Sequence, residues 1–94
     1  GDTPLQMACM DGNVDAAQLL VESGANVHTS NSKNYTPLNQ ACLRGHIEVV
    51  RLLLANGADA DLNVGDEDGD TPIANATRQG HSAIVDLLSQ HNAP

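Results

Sequence analysis

Three copies of one short text lie along this 94-residue chain in a single register, and that repetition restricts the possible folds more than any other feature. Thr3-Pro4-Leu5, Thr36-Pro37-Leu38 and Thr71-Pro72-Ile73 open the copies, so the unit recurs after 33 and then 35 residues. Gly12-Asn13, Gly45-His46 and Gly80-His81 keep the same offsets, as do Leu19-Leu20, Leu52-Leu53 and Leu87-Leu88. A period of this length implies supersecondary units stacked side by side, each burying its apolar face against its neighbours.

The middle copy defines the unit. Thr36 is placed to cap a helix with its hydroxyl, and Pro37 suits the first helical position, where an N–H would have no partner. Leu38, Ala41 and Cys42 then share one side of a short helix that Gly45 ends. From Ile47 the apolar positions 47, 49, 50, 52, 53 and 54 form a broad stripe opposite Glu48 and Arg51, predicting a second helix that is longer and more buried. Gly57 closes it in a left-handed conformation, as Gly24 does in the first copy and, by this pattern, Asn92 in the third. The polar segment before the next Thr-Pro reads as a turn or hairpin rather than a third helix.

In these residues the chain resembles the ankyrin repeat, whose text runs Thr-Pro-Leu-His, two small residues, Gly-His, an Ile-Val/Leu-Leu helix and Gly-Ala-Asp. The resemblance implies an all-α repeat protein, an ankyrin-repeat solenoid of helix-turn-helix units joined by hairpin-like loops. It divides residues 1–94, a single domain, into repeats at about 1–33, 34–68 and 69–94. The text opens half-way through a polar finger, which suggests a piece of a longer chain. The family's His after Thr-Pro-Leu is Gln6, Asn39 and Ala74 here. Gln and Asn keep hydrogen-bonding capacity, whereas Ala74 puts the inter-repeat polar link in doubt for the third copy. The family's hydroxylated Asn is replaced by His28 and Asp61, so little modification is expected.

Charge and chemistry narrow the function. Twelve acids against four Lys and Arg, a net charge of −8, argue against nucleic acid, because phosphate binding needs clustered positive charge. No apolar run is long enough to span a bilayer, and unpaired cysteines point to a reducing interior, cytoplasm or nucleus. Cys9 and Cys42 occupy equivalent positions on neighbouring helices, roughly 8–10 Å apart and beyond the roughly 7 Å reach of a disulfide. Both read as small packing residues. His46 and His81 recur with the fold and read as structural, while His28 and His91, near loops, read as solvated. No His or Cys pair has zinc spacing, and Gly45 separates Cys42 from His46, so neither a metal centre nor an enzyme is expected and no cofactor is implied. The acidic finger from Asp59 to Asp70 invites a calcium reading, but Val64 and Thr71 stand where an EF-hand loop needs glycine.

Carried over position by position, the resemblance implies a binding groove made by finger tips and first helices. Its positions are Asp2, then Ser32, Lys33 and Tyr35, then Glu67, Asp68 and Asp70 on the fingers. On the first helices they are Met10 and Asp11, Leu43 and Arg44, and Arg78 and Gln79. Tyr35 is the chain's one aromatic residue, and with Leu43 and Met10 nearby it has the makings of a hot spot. Arg44 and Arg78 are expected to divide a mildly apolar side of the groove from an acidic one. The expected function is a protein-protein interaction module for a partner peptide or domain with an apolar anchor followed by basic residues. The alternatives are a spacer within a longer stack and, less well supported, a calcium-binding loop.

Overall fold

The threonines expected to start helices do so. In the computed structural model, which describes residues 3–92, the hydroxyls of Thr3, Thr36 and Thr71 accept from the backbone N–H three residues on, and a proline follows each. These caps open α1 (Pro4–Asp11), α3 (Pro37–Arg44) and α5 (Pro72–Arg78), the inner row of the stack. The second helices, α2 (Val14–Glu22), α4 (Ile47–Ala55) and α6 (Ser82–Asn92), form the outer row. Among the described residues there is no strand, and one 3₁₀ turn, Ala58–Asp61, follows α4. The polar segment after α4 therefore holds a short helical turn that its composition did not suggest. Helix α6 also continues through Asn92, where the pattern placed a left-handed terminator.

One sequence expectation about packing is reversed. Six of the eight residues of α3 are buried, against four of nine in α4, and α1 buries four residues where α2 buries only Ala17. The second helices are the longer ones, but the first are the more enclosed. The cause is the small residues Ala8 and Cys9, Ala41 and Cys42, and Ala76, all buried, which let the inner helices approach closely. Helix α3 accordingly packs extensively on both α1 and α5, while α4 meets α2 and α6 more sparingly. Leu5, Leu38, Leu53, Ile84 and Leu88 fill the space between the rows, each stabilising the stack by roughly 1.5–3 kcal/mol through burial.

The repeated histidines stitch repeat to repeat. His46 donates through Nε2 to the carbonyl of Met10 at 3.0 Å, and His81 likewise to Leu43 at 3.3 Å. The His46 side chain makes no cap bond to α4. At the position of the family's His, Gln6 donates to the carbonyls of Thr29 and Tyr35, and Asn39 to that of Val64, so each ties an inner helix to the following finger. Ala74 can make no such bond, but its neighbour Asn75 donates to Asn39 Oδ1 at 2.7 Å and to Asp66 Oδ2 at 3.3 Å. The polar link that Ala74 cannot form is thus made one residue later and directed backwards. One repeat earlier, Gln40 and Gln6 hold the positions of this bonded Asn75–Asn39 pair, yet the Oε1 atoms of both are buried without a partner among the described residues.

Candidate functional site

Each finger tip is a tight turn built on one side chain. Asn31 Oδ1 accepts from the N–H groups of Lys33 and Tyr35, and Asp66 Oδ1 accepts from those of Asp68 and Asp70. The backbone closes in the same way at both: Asn34 N–H to Asn31 and Gly69 N–H to Asp66, with Asn34 and Gly69 at φ of +63° and +82°. This side-chain-supported turn presents Ser32, Lys33, Glu67 and Asp68, all exposed, at the two tips. Glu67 N–H donates to the carbonyl of Lys33 at 2.9 Å, fastening one tip to the next. The two extra residues of the longer finger lie ahead of its tip, between Gly57 and Asp66, where the 3₁₀ turn forms.

Six of the positions expected from sequence come together. Met10, Ser32, Lys33, Tyr35, Leu43 and Arg44, joined by Asn31 and Gln40, line a pocket of about 350 Å³ between the second finger and helices α1 and α3. Tyr35 and Leu43 are half-buried rather than sequestered. Burial pushes the Tyr35 phenol up, and the carboxylates of Asp66 and Asp68 add to the shift against the opposing charge of Arg78. The phenol is therefore a neutral donor across the physiological range.

The remaining positions are placed elsewhere. Asp11 and Gln79 are exposed at the ends of α1 and α5, and Asp2 lies outside the described residues. Arg78 does not stand free as a divider of the groove: its guanidinium donates to Asp70 and, at 2.7 Å, to Asn75 Oδ1. That neutralises Asp70 and leaves Glu67 and Asp68 as the exposed acids of the tip. Arg44 lines the pocket beside Leu43 and does not mark a border between an apolar and an acidic side.

Asp66 is buried. Burial raises its carboxyl, but hydrogen bonds from the Asp70 backbone, the Asn75 side chain and the Asp68 backbone, with the charge of Arg78, outweigh that and lower it below its ordinary 3.8. Asp66, Asp68 and Asp70 can bring one oxygen each within 4.8 Å of one another. Calcium requires six to eight oxygens, whereas Asp66 is occupied by turn hydrogen bonds and Asp70 by a guanidinium. His28 is not simply solvated: its Nδ1 lies 2.7 Å from Oδ2 of Asp61, the residue 33 positions later in the next repeat. Sequence reasoning missed this pair, although the shared register of the two positions was visible.

The thiols of Cys9 and Cys42 are buried, and burial pushes both up to about 12. Cys42 is thus a protonated packing group, and the Nε2 of His46 is engaged by Met10, so the two form no nucleophile–base pair. No described helix is long and apolar enough to cross a membrane. Among curated proteins, comparison finds no match. The model describing ankyrin repeats (3 copies) matches residues 1–64, and α5 and α6 continue beyond that stretch with the same cap, turn and histidine contact. The chain belongs to the ankyrin repeat family.

Proposed function

We propose that this chain is a protein-interaction module whose finger tips and inner helices hold an extended segment of a partner protein. The observation that carries the proposal is the convergence of Met10, Tyr35 and Leu43 with the polar tip residues on one pocket. A volume of about 350 Å³ is at the lower end of the range for ligand pockets and suits one or two side chains. The flanking groove then supplies backbone and rim contacts. An aromatic residue flanked by aliphatic groups, half-buried and with its backbone bonded to Asn31 and Gln6, is the kind of anchor that concentrates binding energy. The action is binding rather than catalysis, and the partner is protein rather than nucleic acid, since the chain carries twelve acids against four Lys and Arg and phosphate binding needs clustered positive charge.

The test is a set of groove variants, Tyr35→Ala with Leu43→Ala and Glu67→Lys with Asp68→Lys, each checked for retained helicity and cooperative melting. Loss of partner capture in the folded variants supports the groove. Undiminished capture in both would rule it out, and failure of the unaltered chain to capture any partner would favour a spacer.

A further inference from the structure

Of the chain's four Lys and Arg residues, two are committed locally. Arg51 lies 3.5 Å from Glu48, and Arg78 is bonded to Asp70. The other two, Lys33 and Arg44, make no ion pair among the described residues, and both line the same pocket. Glu67 and Asp68 stand on the adjoining tip and Asp66 acts on Tyr35, but no carboxylate lines the pocket among the described residues. Both charged side chains that line the pocket are therefore cationic, in a protein whose overall sign is negative.

A second observation concerns the pocket wall. Gln40 is only 4% exposed, lines the pocket, and has an Oε1 without a partner among the described residues. Buried polar atoms are normally paired, so this amide is a group awaiting a complement. A turn of its end towards the pocket would let it bond an incoming peptide group. Met10, Leu43 and the ring of Tyr35 supply the apolar remainder, which a free inorganic anion would leave unused.

We propose that the pocket takes a carboxylate carried next to an apolar side chain on an extended partner segment, an Asp or Glu beside a residue such as Leu, Ile or Met. The carboxylate lies between Lys33 and Arg44, whose guanidinium can meet it with two parallel hydrogen bonds. The apolar side chain rests on Met10 and Leu43, and the segment's peptide group meets Gln40. This inference rests on the groove reading above and gives it a charge opposite to the basic partner that the acidic finger suggests.

The experiment is selection of a random dodecapeptide display library on the immobilised chain at physiological salt, followed by anisotropy titration of the enriched peptides. Repeats are run on Lys33→Glu/Arg44→Glu, on the milder Lys33→Gln/Arg44→Gln and on Asp15→Lys/Asp86→Lys, a charge change on the exposed outer helices away from the pocket. Enrichment of acidic residues beside apolar ones is expected, with affinity falling roughly tenfold or more in both Lys33/Arg44 variants and holding in the outer-helix variant. Because the net charge of the whole chain favours basic peptides, such enrichment would have to come from the local pair. Enrichment of basic or uncharged peptides that bind through the groove overturns the carboxylate proposal and leaves the groove standing. Acidic peptides indifferent to both Lys33/Arg44 variants overturn it as well, and no enrichment of any class overturns both.

Discussion

The imidazole of His46 occupies the space that any side chain on Gly12 would need: an added Cβ would lie 2.5 Å from its Nδ1. His81 blocks Gly45 likewise, its Cε1 lying 2.6 Å from the added Cβ, whereas nothing lies within 4 Å of the corresponding point at Gly80. The three glycines share a left-handed backbone, with φ between +72° and +81°. Alanine at Gly80 should therefore cost only the left-handed strain, about 1–2 kcal/mol. Gly12→Ala and Gly45→Ala should add an overpacking term of about 1–3 kcal/mol and break the histidine stitch between repeats. Denaturant melts of the three variants check this ordering, and equal losses at all three sites would contradict it.

Asn75 is the hub of a buried polar network reaching Asn39, Asp66 and Arg78. Asn75→Ala leaves Asn39 Oδ1 buried and unpaired, which should cost roughly 1–3 kcal/mol. Removing both amides should cost less than the sum of the single changes, because the bond they share is lost once and not twice. A double-mutant cycle read by chemical unfolding measures that coupling, and strict additivity would show that the pair contributes nothing jointly.

Strong acid should weaken the third finger. Asp66 has a folded pKa below its unfolded value, so its contribution to stability is complete above the ordinary 3.8 and disappears as pH falls through the lowered folded value. Asp66→Asn can still support the turn, as Asn31 does at the equivalent position, but would set an amide donor against that of Asn75. The variant should be less stable by about 1–3 kcal/mol at neutral pH and should show a flatter stability curve below pH ~4. Melting both proteins across the acid range tests this, and parallel curves would exclude Asp66 as the cause.

Much of the architecture was readable because stacking imposes a period. The Thr-Pro starts, the Gly45 stop and the buried set Leu38, Ala41 and Cys42 all follow from residue type and spacing, and they are where the structure has them. Which row of helices lies deeper was not readable. An amphipathic stripe such as that of α4 records that one face is covered, not how closely a neighbour on either side can approach, and the small residues of the inner row decide that. Polar pairing across repeats was equally hidden. Ala74 drew attention to a missing bond, yet the bond is made by Asn75, because on a helix the adjacent residue points roughly 100° away, towards α3 instead of the next finger. In the pocket, residue identities marked the apolar wall, but the freedom of Lys33 and Arg44 became visible only once Arg51 and Arg78 were seen to have acidic partners.

The unequal burial of the two helix rows gives the molecule a preferred way to bend. Where inner helices meet through Ala and Cys there is little slack, so α1, α3 and α5 act as a rail of fixed spacing. The outer row, with Leu19 standing 64% exposed and α2 burying only Ala17, should have more room to spread or close, like the leaves of a fan. Under load the curvature should change while the interval from one inner helix to the next is conserved. A guest strand lying along that edge would therefore meet a ruler with constant graduations, whatever the arc of its back.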